Sequence, residues 1–94
     1  MLRVSVHYRG RVQGVGFRAT VRDIARHHAV AGYVMNLPDG SVRLVAEGSR
    51  EEVQALLADV RRAMSRHIKD EARAESIATG EWGRPAPGAL VIRY

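Results

Sequence analysis

Arg18 ends the run Gly10-Arg11-Val12-Gln13-Gly14-Val15-Gly16-Phe17-Arg18, in which three glycines fall within seven residues. A strand-like segment precedes the run and a helix-like segment follows it. Glycine adopts backbone angles that side chains forbid, so such a turn can aim several N–H groups at one point. A helix that starts where the turn ends adds free N–H groups and the positive end of its dipole. With the Arg18 guanidinium, that combination suits a phosphate-sized anion. The same spacing also suits a plain tight turn between strand and helix. Two better-known phosphate motifs are excluded: no Lys-Ser or Lys-Thr follows the glycines, and Ala19 stands where a dinucleotide fingerprint needs its third glycine. A second residue with suitable chemistry is Asn36. Its carboxamide can accept from one water and donate to another group, or it can bond its own backbone at a hairpin end. His27 and His28 are adjacent, and neighbours on a helix diverge, so they cannot face one metal ion. No metal site is expected.

The elements that must position these residues belong to one small domain, residues 1–94. Hydrophobic residues make up 46% and charged residues 27%, a balance that reads as soluble and globular. Cysteine is absent, which removes disulfides, thiolate metal sites and a cysteine nucleophile. No apolar run approaches the roughly 20 residues that span a bilayer, and the chain enters an alternating strand at once. A cytoplasmic setting with no membrane partner is therefore expected. The formal charge is +5, and every basic side chain except Lys69 is arginine. Nucleic acid, an anionic membrane and a small anionic substrate all fit that balance, but the arginines are scattered from Arg3 to Arg93, which weakens the nucleic-acid reading.

Leu2, Val4, Val6 and Tyr8 alternate with Arg3, Ser5 and His7, predicting a half-buried strand. Phe17, Val21, Ile24, Ala25 and His28 recur at helical spacing and predict a helix over 18–28, its two histidines at the C-terminal end. Strands are expected over 32–36 and 41–47, joined by the turn Leu37-Pro38-Asp39-Gly40, with Gly48 breaking the second. Ser49 and Glu52 have capping-box spacing for a second helix. Val53, Leu56, Leu57, Val60 and Met64 form its apolar stripe, and Arg50, Asp59, Arg61 and Arg62 a solvated face. Residues 65–71 finish this helix or form a loop, a fourth strand covers 72–81, and residues 83–88 form a Pro/Gly loop. A short strand over 89–94 ends the chain. This order predicts an α+β ferredoxin-like sandwich (βαββαβ), an antiparallel sheet with two helices on one face and a short extra C-terminal strand. That fold alone does not decide function.

The nine-residue run, with Gly32-Tyr33-Val34-Met35-Asn36, Asp39-Gly40 and Ile92-Arg93-Tyr94, resembles the acylphosphatase family over nearly the whole chain. The resemblance implies metal-free hydrolysis of the carboxyl–phosphate bond of small acyl phosphates, with no cofactor. It also implies that Arg18 binds phosphate and that Asn36 positions the attacking water. Residues Arg11, Val12, Gln13, Gly14, Val15, Gly16 and Phe17 match the loop whose backbone N–H groups hold the phosphate. Met35 departs from a position that is often basic or polar in the family. Residues 65–70 depart from a Gly-Pro-containing segment. Both bear on substrate preference rather than on the reaction.

If the last strand lies beside the first, the Tyr94 carboxylate can reach Arg18 and fix its rotamer; otherwise the terminus frays. A rival reading is an RNA-binding module, but the third strand, residues 41–47, has no aromatic on which a base could stack. Another is a regulatory or carbamoyl-phosphate-handling domain of a larger protein. A free-standing monomeric enzyme that takes a small acyl phosphate, and no nucleic acid, is the expectation.

Overall fold

The alternation of β1 (Leu2–Gly10) sends Val4, Val6 and Tyr8 into the core and leaves Arg3, Ser5 and His7 on the other face, in a computed structural model that describes residues 1–94. The remaining elements are α1 (Phe17–Ala25), β2 (Val30–Asn36), β3 (Val42–Gly48), α2 (Arg50–Met64), β4 (Ile68–Ile77) and β5 (Ala89–Arg93). The expected βαββαβ order with an extra strand is present, and both helices pack on one face. The sheet order is β4-β1-β3-β2-β5.

The sheet is mixed rather than wholly antiparallel. β1 pairs antiparallel with β3 and β4, and β2 pairs antiparallel with β3, but β5 runs parallel to β2. The last strand therefore does not lie beside the first. Both edges of β1 are already filled, by β3 and β4, and β5 takes the outer edge of β2. One consequence bears directly on the site. β1, β2 and β5 all point the same way, and their C-terminal ends meet the start of α1. Arg93 pairs with Met35, which sets Tyr94 level with Asn36.

The apolar stripe of α2 is buried as its spacing requires: Val53, Leu56, Leu57, Val60 and Met64 all lie in the core. Each such side chain contributes roughly 1.5–3 kcal/mol relative to exposure. Ser49 caps the helix by accepting from the Glu52 N–H at 3.2 Å. The return half of the capping box is not formed, because the Glu52 carboxylate accepts instead from the Ala29 N–H at 2.8 Å. α1 ends at Ala25 rather than at residue 28. His28 lies beyond it, with Nε2 2.9 Å from Asp59 Oδ2 of α2. Asp59 is thus a tie between the helices and not part of a purely solvated face. The hydrogen bond from His28 holds its carboxyl below the ordinary range.

β4 starts at Ile68, four residues before the expected strand, and ends at Ile77. It is an edge strand with almost no buried side chains, so it carries no alternating signal. Gly48 is the last paired residue of β3, opposite Leu2 and Val30, rather than a break before it.

The segment after β4 crosses the helix-free face of the sheet, where buried Glu47 holds it. The Glu47 carboxylate accepts from the N–H groups of Thr79 (3.1 Å) and Gly80 (3.2 Å) and from Thr79 Oγ1 (3.2 Å). Trp82 then packs on Tyr33, with ring centroids 4.6 Å apart. Replacing Glu47 with alanine strips those donors of their acceptor and is expected to destabilise the fold by about 3 kcal/mol. Urea unfolding measures the loss. Trp82 is the sole tryptophan, so its emission should shift to the red in the native state. An unchanged unfolding midpoint would mean that the carboxylate does not hold this crossing.

Candidate active site

The loop between β1 and α1 is fixed by its own side chains, most of which turn inward. Val12 is buried, Val15 packs against the core, and Phe17 meets Tyr8 with ring centroids 5.0 Å apart. Gln13 reaches across to the β2–β3 turn, where its Nε2 donates to the carbonyls of Leu37 (2.8 Å) and Ser41 (2.9 Å). That turn is braced in its own right. The Ser41 hydroxyl donates to Asp39 Oδ1 and faces His7 Nε2, each at 2.5 Å. With its proton committed to Asp39, Ser41 receives its hydrogen bond from His7 and is not poised as a nucleophile. These bonds from Ser41 hold the Asp39 carboxyl below its ordinary value.

Anchored in this way, the loop leaves its backbone donors free. Gly14 and Gly16 both take φ +78°, the left-handed region that favours glycine, and a Cβ at either position would meet open space. Gly16 is also the N-cap of α1 and makes no side-chain cap. The first bonded amide after the loop is that of Thr20, donating to the Gly16 carbonyl at 3.0 Å. No N–H from Arg11 to Ala19 has an acceptor within the chain.

Beside these amides lies a cavity of about 270 Å³ between the loop, α1 and the ends of β2 and β5. Of the residues singled out in the sequence, Val12, Gly14, Gly16, Phe17, Arg18 and Asn36 line it. Arg11, Gln13 and Val15 do not. The wall also contains four residues that sequence reasoning missed as site residues or placed differently: Ala19, Arg22, Ile92 and Tyr94. Helical spacing from Arg18 could have pointed to Arg22, but nothing local pointed to Ile92.

Asn36 is the last residue of β2, on the helix-facing side, and its carboxamide forms no hydrogen bond within the chain. The hairpin-end alternative, in which the side chain bonds its own backbone, is not formed. Arg18 has no carboxylate within ion-pair distance, so the Tyr94 carboxylate does not pair with it. The ring of Tyr94 meets it instead, with the guanidinium carbon 5.0 Å from the ring centroid. β5, beside β2, brings Tyr94 to the cavity wall.

The arrangement presents free amides, one unpaired guanidinium and one free carboxamide to a single hollow, a set suited to a compact anion. A larger hollow of about 440 Å³, near Met1 and Ile77, offers no such set: its Arg50 and Glu75 already pair at 3.2 Å.

The acylphosphatase family model matches residues 4–85. An acylphosphatase of Methylococcus capsulatus is 55% identical over 62 residues, covering 66% of this chain and 67% of its own. Across the first curated relatives, the match spans 60–67% of their length. The crystal structure of acylphosphatase from Bacillus subtilis superposes with a TM-score of 0.84 at 31% identity, covering 100% of both chains. The structure of HypF from T. kodakarensis matches at 30% identity and a TM-score of 0.78, with this whole chain corresponding to 12% of that one. No helix here is long and apolar enough to cross a membrane.

Proposed function

This chain belongs to the acylphosphatase family, whose members are hydrolases acting on acyl phosphates, and from that premise we propose that it hydrolyses small acyl phosphates at the cavity beside Arg18. The observation that carries the reading is the run of unsatisfied amides from Arg11 to Ala19, closed by the Arg18 guanidinium and faced by the Asn36 carboxamide.

The chemistry needs little more than this. The leaving group is a carboxylate whose conjugate acid has a pKa near ~4, so it departs as an anion at neutral pH. The phosphoryl group must be held, its equatorial charge stabilised and one water aimed in line with the leaving oxygen. Water's oxygen forms the new bond to phosphorus while the bond to the carboxyl oxygen breaks. The carboxylate keeps the electron pair, and both protons of the water end on the phosphate, giving dihydrogen phosphate. In this reading the loop amides and the Arg18 fork hold the phosphoryl oxygens. The amides are fixed before substrate arrives, because Val12, Phe17 and Gln13 already anchor the loop. Asn36 accepts from the water and orients it without deprotonating it.

Phosphate release from benzoyl phosphate by purified protein tests the assignment, with phenyl phosphate as the control. Turnover of the first and not the second is expected, at a rate unaffected by EDTA. Equal rates on both, or no release from either, would refute the reading.

A further inference from the structure

The cavity wall holds a second guanidinium that the hydrolytic step does not use. Arg22 lies one turn along α1 from Arg18, on the same side of the helix. Four residues rise about 6 Å along a helix axis. Arg22 is therefore set that much further than Arg18 from the amides at the start of α1. Its Nε is buried and has no hydrogen-bond partner. Its ion-pair neighbour, Asp23 Oδ1, is 3.6 Å away, too far for a hydrogen bond. The rest of the side chain is accessible, at 40% of its free area, and the residue lines the hollow.

The hollow is also longer than the reaction requires. About 270 Å³ exceeds the space filled by one phosphoryl group and one water, and Ala19 and Ile92 supply apolar wall. A short aliphatic acyl chain fits that wall chemically. A group at its far end would meet a cation.

We propose that Arg22 is a specificity-determining residue that takes a carboxylate at the distal end of the acyl chain, so that the favoured substrates are acyl phosphates of short dicarboxylic acids. This rests on the hydrolase reading above. The Arg22 fork supplies paired donors to that carboxylate.

Succinyl phosphate and butyryl phosphate have the same chain length and differ in the terminal carboxylate, so their kcat/KM ratio isolates the contact. A charge-assisted hydrogen bond of ordinary strength corresponds to a preference of roughly 10- to 100-fold for succinyl phosphate. Arg22→Gln should bring the ratio close to one, chiefly through KM, and Arg22→Lys should restore part of it. A wild-type ratio near one, or a ratio unchanged in Arg22→Gln, overturns the proposal. Calorimetric affinities for 5-phosphonopentanoate, whose carboxylate stands as many bonds from phosphorus as that of succinyl phosphate, and for pentylphosphonate provide a readout free of turnover. The wild type should favour the first and Arg22→Gln should not. If neither acyl phosphate is hydrolysed, the hydrolase reading fails, while the phosphonate affinities still decide whether Arg22 holds a distal carboxylate.

Discussion

Replacing Arg18 with alanine is expected to lower kcat/KM on benzoyl phosphate by about 10²–10³-fold, the usual cost of removing one preorganised donor from a developing charge. The inhibition constant for phosphate should rise with it, because the same guanidinium would hold product and transition state. Arg18→Lys should fall between wild type and alanine: lysine keeps the charge but lacks the planar fork that meets two oxygens at once. The fold should be little affected. Arg18 makes no ion pair within the chain, and its contact with the exposed Tyr94 ring lies at the cavity wall. Thermal unfolding separates the two effects. A lost activity that tracks a lost melting temperature would point to structure, and activity within threefold of wild type would remove Arg18 from the proposed site.

Asn36→Ala should act on the other half of the reaction. Turnover is expected to drop by at least about 10²-fold, the scale of losing alignment in a positioned reactant pair. Phosphate inhibition should stay close to wild type, because the carboxamide is assigned to the water and not to the phosphoryl oxygens. Asn36→Asp should be no better: its carboxylate can accept from the water, yet it stands in a hollow arranged for an anion and repels one. Measuring turnover and phosphate Ki on the same preparations decides the matter. A parallel loss of both in Asn36→Ala would mean that residue 36 helps hold phosphate, and the division of labour between Arg18 and Asn36 would fall.

Much of the scaffold was legible because burial on one side of a regular element imposes a period on the residues. The alternation of β1, the stripe on α2 and the turn at residues 37–40 follow from that rule and all recur in the structure. β4 shows its limit. A strand at a sheet edge buries few side chains, so its start at Ile68 came from pairing with β1 rather than from pattern. The same holds for Glu52 and Asp59. Local spacing made them a capping residue and a surface charge, while the neighbouring end of α1 supplied other partners in Ala29 and His28.

For the site, the amino-acid order alone determined a glycine-rich turn that leaves amides free at a helix start, with an arginine one position into that helix. Those are properties of neighbours in the chain. Tertiary structure decided which distant residues face the turn. Both edges of β1 were occupied and β5 took the outer edge of β2, in parallel, which carried Ile92 into the cavity wall and the Tyr94 ring to Arg18, level with Asn36. Which edge stays open depends on how all five strands pair, and no local stretch of sequence carries that information.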